Sequence, residues 1–265
     1  MDLFIAIVQG IIIASTPLVL AAIGELVVEK SGVLNLGVEG MMIIGAVTSF
    51  IVTYETGSHF LGLIAAVISA GLVASLFGLL TQYLLSNQVA TGLALTLFGL
   101  GLASLIGQTY SGISLDAFPV FDVYLLTEIP IIGSLLFNFD YLIYLSIIIV
   151  VSVYYFLNKT KLGLVLTAIG DSHDSAHSLG YSVKMVRLFA IIFGGACAGL
   201  GGAYLSLVQT PMWVENMTAG RGWIALAIVV FAVWRPLWIL VGAYIFGGIT
   251  IIQLHVQALG VNIGA

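Results

Sequence analysis

Residues Leu3–Val28 read LFIAIVQGIIIASTPLVLAAIGELVV, and Glu25 is the one ionisable side chain in that run. About 20 apolar residues in helical form cross the roughly 30 Å hydrocarbon core of a bilayer. The stretch therefore predicts a membrane span. The start, Met1-Asp2-Leu3, lacks the basic n-region of a cleaved signal peptide, so the first span is expected to stay in the mature protein. Further apolar runs follow at 60–85, 89–110, 140–157 and 186–208. Two more regions are broken. Residues 33–54 open on Leu34-Asn35-Leu36-Gly37-Val38-Glu39-Gly40 before turning apolar. Residues 222–234 reach only ~20 Å as a helix; Arg235-Pro236 interrupts, and 237–256 resumes. The reading is an all-α polytopic transmembrane bundle of about eight crossing or part-crossing elements, with broken or short helices, as one domain over 1–265.

Composition agrees. Of 265 residues, 61% are hydrophobic and 7% charged, against about 45–50% and about 25% in an ordinary soluble domain. So few charges cannot clothe a soluble surface, which excludes a soluble enzyme, a nucleic-acid binder and a disordered chain. The 31 glycines suit membrane helices. Cys197 is the single cysteine, so no intramolecular disulfide can form.

Charge placement sets the orientation. Residues 111–140 hold Asp116, Asp122, Glu128 and Asp140 with no Lys or Arg, whereas 158–187 hold Lys159, Lys161, Lys184 and Arg187. Cytoplasmic loops are rich in Lys and Arg, so 158–187 is expected inside and 111–139 outside. Counting back places Ser86-Asn87-Gln88 inside, Glu55 to His59 outside, Lys30 inside and the N-terminus outside. The external stretch carries Phe118, Pro119, Phe121, Tyr124 and Pro130. It suits an interfacial aromatic belt or a platform for an external partner.

Several motifs invite a chemical reading. Asn35 and Glu39 are four apart, which on a helix shares a face, and Glu25 and Glu29 lie nearby. Carboxylates at membrane depth face a cavity or a partner; these either line a solute path or form a polar network that fixes a helix break. Gly24-Glu25-Leu26-Val27-Val28-Glu29-Lys30-Ser31 misses a phosphate-binding loop, because that loop needs glycine where Glu29 stands. ATP hydrolysis then belongs to another chain. His173-Asp174-Ser175-Ala176-His177 spaces two histidines like a zinc-protease helix but lacks the Glu base, so an exposed polar helix is the better reading and no metal is expected. Gly195 with Gly199, and Ala198 with Gly202, are small-residue pairs that let helices approach closely, within the chain or across a dimer seam. Arg221 and Arg235 bracket the short apolar element, as interfacial anchors or, for Arg221, as part of a gate or solute contact. Gln82, Asn87, Gln88 and Gln108 could bond a polar solute or bond across helices.

Four stretches together resemble a known family: Thr16-Pro17-Leu18 through Gly24-Glu25-Leu26 and on from Ser31 to Met42; Asn87-Gln88-Val89 with Gly92-Leu93-Ala94-Leu95; Gly163 to Gly170, continuing through Ala176, Gly180, Val183 and Arg187 to 194–203; and Thr218 to Ala227 followed by Trp234-Arg235-Pro236. The set is similar to the permease of bacterial ATP-binding cassette (ABC) importers for simple sugars, nucleosides and branched-chain amino acids, nearest to nucleoside-type permeases that work with a basic-membrane-protein-like lipoprotein. The resemblance implies a multi-pass protein of the cell membrane that is not itself an enzyme and has no cofactor. It implies separate ATP-binding subunits, a second permease subunit (a similar chain or a second copy), an external substrate-binding lipoprotein, and surrounding lipid. It also implies that a short cytoplasmic helix matching Ala168 to Gly180 docks on the ATPase, with Ala168, Gly170, Asp171, His173, Asp174, Ala176, His177 and Gly180 as coupling residues. Family members often follow the glycine with an acidic residue and Asn-Pro; here Gly170 is followed by Asp171-Ser172-His173. They also generally continue past the position of Ala265 through another apolar helix and a polar tail. The solute-path candidates are Glu25, Asn35, Glu39, Asn87, Gln88 and Arg221. The rival function is a proton- or ion-coupled secondary transporter with Glu25 and Glu39 as carriers; a membrane scaffold that transports nothing is a third.

Overall fold

The computed structural model describes residues 2–122, 138–178 and 180–258. The long apolar runs become α1 (Asp2–Lys30), α2 (Val38–Thr56), α3 (His59–Gln82) and α4 (Gln88–Gly107). A short antiparallel ribbon follows, β1 (Val120–Asp122) with β2 (Asn138–Asp140), in the register Val120 to Asp140. Then come α5 (Tyr141–Lys159), α6 (Lys161–Asp171), α7 (His173–Ser178), α8 (Val183–Tyr204), α9 (Arg221–Phe231) and α10 (Pro236–Ala258). Seven helices among the described residues are long and apolar enough to span, and α9 is the short apolar one. The fold is the expected all-α polytopic bundle. Tyr124, Glu128, Pro130 and residues 259–265 lie outside the described residues.

Helices α1, α2 and α8 form the centre. At least 72% of each one's apolar window is buried, against 33% or less for α3, α4, α5 and α10. Small residues explain the close packing, since hydrocarbon supplies no hydrophobic drive between helices and contact depends on backbone approach. Gly45 of α2 faces Gly199 of α8, and a Cβ added at Gly45 would stand 2.5 Å from the Gly199 Cα and carbonyl O. Gly202 sits on the Met42 carbonyl, and Gly195 on Ala70 and Ala74 of α3. The small-residue pairs therefore pack within the chain. Pro17 stays inside α1, and its turn of helix lies against Gly201.

The two ends of the bundle separate by charge. Arg187 Nε donates to the Ser31 carbonyl at 2.9 Å, Gly170 packs on Lys30 and Gly32, and the Trp234 indole donates to Glu29. Lys30, Lys159, Lys161, Lys184, Arg187 and Arg235 gather at this end, and Arg221 is the one basic residue away from it. At the other end Tyr110 donates to Glu55 at 2.9 Å, and the His59 ring lies 3.4 Å from the Asp116 carbonyl. The residues expected inside by the enrichment of Lys and Arg in cytoplasmic loops thus lie together at one end of the bundle.

Candidate functional site

Two breaks in the helices meet inside the bundle. The first is the turn 31–37 between α1 and α2. Gly32 is left-handed there, at φ 82. Asn35 does not share a helical face with Glu39, as its spacing suggested, because α2 begins only after Gly37. Instead the Asn35 side-chain oxygen accepts from the Gly37 N–H at 2.9 Å, a local Asx turn that competes with helix. The Asn35 N–H donates to Glu25 Oε1 at 3.1 Å. Asn35 and Glu25 are both buried. Glu25 thus secures the break from α1.

The second break lies between α8 and α9. Helix α8 runs on into a π-helical turn, Leu205–Gln209. The chain then bonds to the segment after α4, with Leu115 N–H donating to the Pro211 carbonyl at 2.8 Å and Trp213 buried against Gly107. It turns inward through Asn216, Ala219 and Gly220, all at positive φ. Gly220 at φ 85 suits the residue type that reaches this region without a Cβ penalty. Helix α9 starts there and ends beside the Trp234–Glu29 contact at the basic end. Its 11 residues span ~16 Å, about half the hydrocarbon core. The α9 N-terminus therefore sits near mid-depth.

Glu39 joins the two breaks. Its Oε1 accepts from the Gly220 N–H at 2.7 Å and its Oε2 from the Gly222 N–H at 2.6 Å. The first N–H groups of a helix have no partner within it, and a carboxylate also complements the positive end of the helix dipole. Both Glu39 oxygens are thereby occupied, and the residue is 2% exposed. Gly222 allows the contact: a Cβ there would stand 2.6 Å from the Glu39 Cα and N. Arg221 bends back to its own approach, Nη1 donating to the Met217 carbonyl at 2.8 Å. The Thr218 hydroxyl beside it is fully buried with no partner among the described residues.

The remaining path candidates lie at the basic end. Asn87 caps α4, its Oδ1 accepting from Ala90 N–H at 3.0 Å. Gln88 Oε1 accepts from Leu34 N–H at 2.9 Å and so ties α4 to the first break. Glu25, Asn35, Glu39 and Arg221 surround the two breaks, and Asn87 and Gln88 stand below them. Gln82 is buried and donates to Thr81. Sequence inspection overlooked Thr218 and Gln209, whose buried side-chain oxygens lack partners among the described residues; a lone hydroxyl or amide carries no spacing signal.

The coupling segment differs from a single helix. Helix α6 begins at Lys161, breaks at Ser172 (φ −156, ψ 98), and resumes as the six-residue α7. Ala168, Asp171, Asp174, His177 and Gly180 are exposed. Gly170 and Ala176 face inward, Gly170 against the Lys30 carbonyl and Ala176 buried. The His173 side chain lies outside the described residues. Among the described residues no cluster of His, Cys, Asp or Glu could hold a metal. Outside the spans, burial pushes the Asp140 carboxyl above its ordinary pKa. Asp140 caps α5 and accepts from the Tyr204 hydroxyl at 3.1 Å.

Residues 7–261 match the family described as "Branched-chain amino acid transport system / permease component". A Haloferax volcanii chain provisionally assigned as a glucose ABC transporter permease is 43% identical over 93% of this chain and 76% of its own length. A nucleoside ABC transporter permease of Lactococcus lactis is 29% identical over 91% of this chain and 80% of its own. A guanosine ABC transporter permease of Bacillus subtilis is 29% identical over 91% and 79%. No solved structure matches the chain.

Proposed function

The chain belongs to the branched-chain amino acid transport system permease family, and we propose on that footing that it carries a nucleoside or a related sugar-containing solute into the cytoplasm. As a permease component of an ABC importer it is a multi-pass plasma-membrane subunit, not an enzyme, and works with separate ATPase and substrate-binding partners. The family decides against the gradient-driven reading. For the solute class, the support is that the relatives above are named for glucose, nucleosides and guanosine, which share a sugar ring.

The observation that carries the mechanism is the half-helix α9, whose N-terminus is held near mid-depth by Glu39. Irregular backbone at that depth is tolerated only where it is buried or lines a cavity, and discontinuous helices near the midplane are where transporters place their sites. Contacts connect this point to the cytoplasmic face. The exposed side of α6 and α7 meets the ATPase. Gly170 on its inner side rests on the 30–32 turn, which Arg187 grips from α8. The same turn runs into Asn35 and Glu25 and then Glu39. ATP binding would move α6, and the two breaks would shift together. Coupling requires that ATP and the loaded binding protein favour different states. A second permease subunit completes the path.

The test is uptake of labelled guanosine and of labelled glucose into proteoliposomes holding this chain, its ATPase, its binding protein and any partner permease. ATP-dependent uptake of the nucleoside, competed by other nucleosides, is expected. Uptake of glucose alone would replace the solute, and uptake without ATP would overturn the importer mechanism. Replacing 172–179 with Gly and Ser is expected to release the ATPase subunit in a pull-down from solubilised membranes.

A further inference from the structure

A cavity of about 540 Å³ opens at the cytoplasmic end between α1, α5, α6 and the turn into α10. Lys30, Asn158, Thr167 and Arg235 supply its polar wall, and Trp234 and Trp238 flank it. Asn158 donates to the Tyr154 carbonyl and Thr167 to the Gly163 carbonyl, so these two are partly committed. No hydrogen bond or ion pair holds the Lys30 ammonium or the Arg235 guanidinium among the described residues. The neighbouring carboxylate, Glu29, accepts from the Trp234 indole. Two cations thus stand against one acid. Leu237 and Trp238, 46% and 50% exposed at the start of α10, carry the wall on as an apolar surface.

We propose that this cavity binds the phosphate of an anionic phospholipid of the inner leaflet. Four features favour a lipid. The cavity lies where apolar spans end on the basic side, the depth of a headgroup. Exposed tryptophans beside it match the aromatic belts that sit at headgroup level. Basic pockets between membrane helices on the cytoplasmic side suit anionic headgroups. The adjoining apolar surface of α10 suits acyl chains, which a free phosphate would not need. The proposal does not depend on which solute is carried.

The experiment is native mass spectrometry of the full chain released from nanodiscs with equal phosphatidylglycerol and phosphatidylcholine. Retained phosphatidylglycerol is expected to exceed phosphatidylcholine. The Lys30→Gln, Arg235→Gln pair is expected to lower that preference by about 25-fold, taking about 5-fold per basic residue near a headgroup. The charge-keeping pair Lys30→Arg, Arg235→Lys is expected to retain it, which separates loss of charge from misfolding. Equal retention of both lipids by the native chain, or a preference that survives the glutamine pair, would overturn the proposal. So would displacement by excess glycerol 3-phosphate, which would make the site one for soluble phosphates. Loss of the lipid on assembly with the ATPase subunits would make the cavity a subunit interface instead.

Discussion

Glu39→Gln separates a carboxylate that builds the path from one that touches the solute. In the folded chain the carboxylate accepts two backbone N–H groups at 2.7 and 2.6 Å. Glutamine keeps one acceptor and turns an NH₂ toward the other N–H. One bond to a charged acceptor, about 1.5–3 kcal/mol, is lost, and one buried N–H is left without a partner. Removing a buried charge returns part of its desolvation cost, so the net loss is set at about 2–3 kcal/mol. At about 2–4 °C per kcal/mol for a chain of this size, the midpoint should fall by about 4–12 °C. Thermal unfolding in detergent, read by tryptophan fluorescence, measures it. Hydrogen exchange of the Gly220 and Gly222 amides locates it, with protection falling by about 30-fold or more, the factor equivalent to ~2 kcal/mol. Uptake falls with it, because the α9 N-terminus is no longer fixed. An unchanged midpoint and unchanged amide protection together with abolished uptake would refute the capping argument and make Glu39 a solute contact.

Three further outcomes follow from the contacts. Gly170→Val drives a side chain into the Lys30 carbonyl and to within 3.1 Å of the Gly32 N; the ATPase should still co-purify, since the exposed side of α6 is unaltered, but ATP-driven uptake should fall at least tenfold. Gly202→Val meets the Met42 carbonyl between two central helices and, at a cost of about 3 kcal/mol or more for forced overpacking, should remove folded protein from the membrane fraction on size-exclusion chromatography. Because burial raises the Asp140 pKa, the folded chain binds a proton there at a higher pH than the unfolded chain does. Its contribution to stability therefore rises as pH falls through the window between the raised and ordinary values. Asp140→Asn, which can still cap α5, should flatten that part of the stability–pH curve.

The spans and the separation of charge between their ends were legible because each depends on a local count. A run of about 20 apolar residues specifies a crossing whatever packs beside it, and six of the seven basic residues gather at one end as the charge rule requires. The half-length of 222–234 was equally plain, since length alone limits reach. Where the reading went astray, a local rule met a local competitor. Asn35 and Glu39 have helical spacing, but the Asn35 side chain bonds the Gly37 N–H and delays α2. The 168–180 segment reads as one helix, but Ser172 takes an extended conformation that divides it.

The sequence alone determined a membrane bundle, the clustering of its basic residues, its two broken elements and the absence of an ATP-hydrolysing loop, because each follows from hydropathy, charge or a contiguous motif. It offered Glu25, Asn35, Glu39 and Arg221 as polar residues in costly surroundings without deciding what they serve. Tertiary structure alone decided that Glu39, 181 residues before Gly220, holds the start of α9, and that Gly170 rests on the turn behind Lys30. Whether a buried carboxylate meets a solute or a backbone depends on what the fold brings opposite it, and partners that distant in the chain leave no periodicity to read.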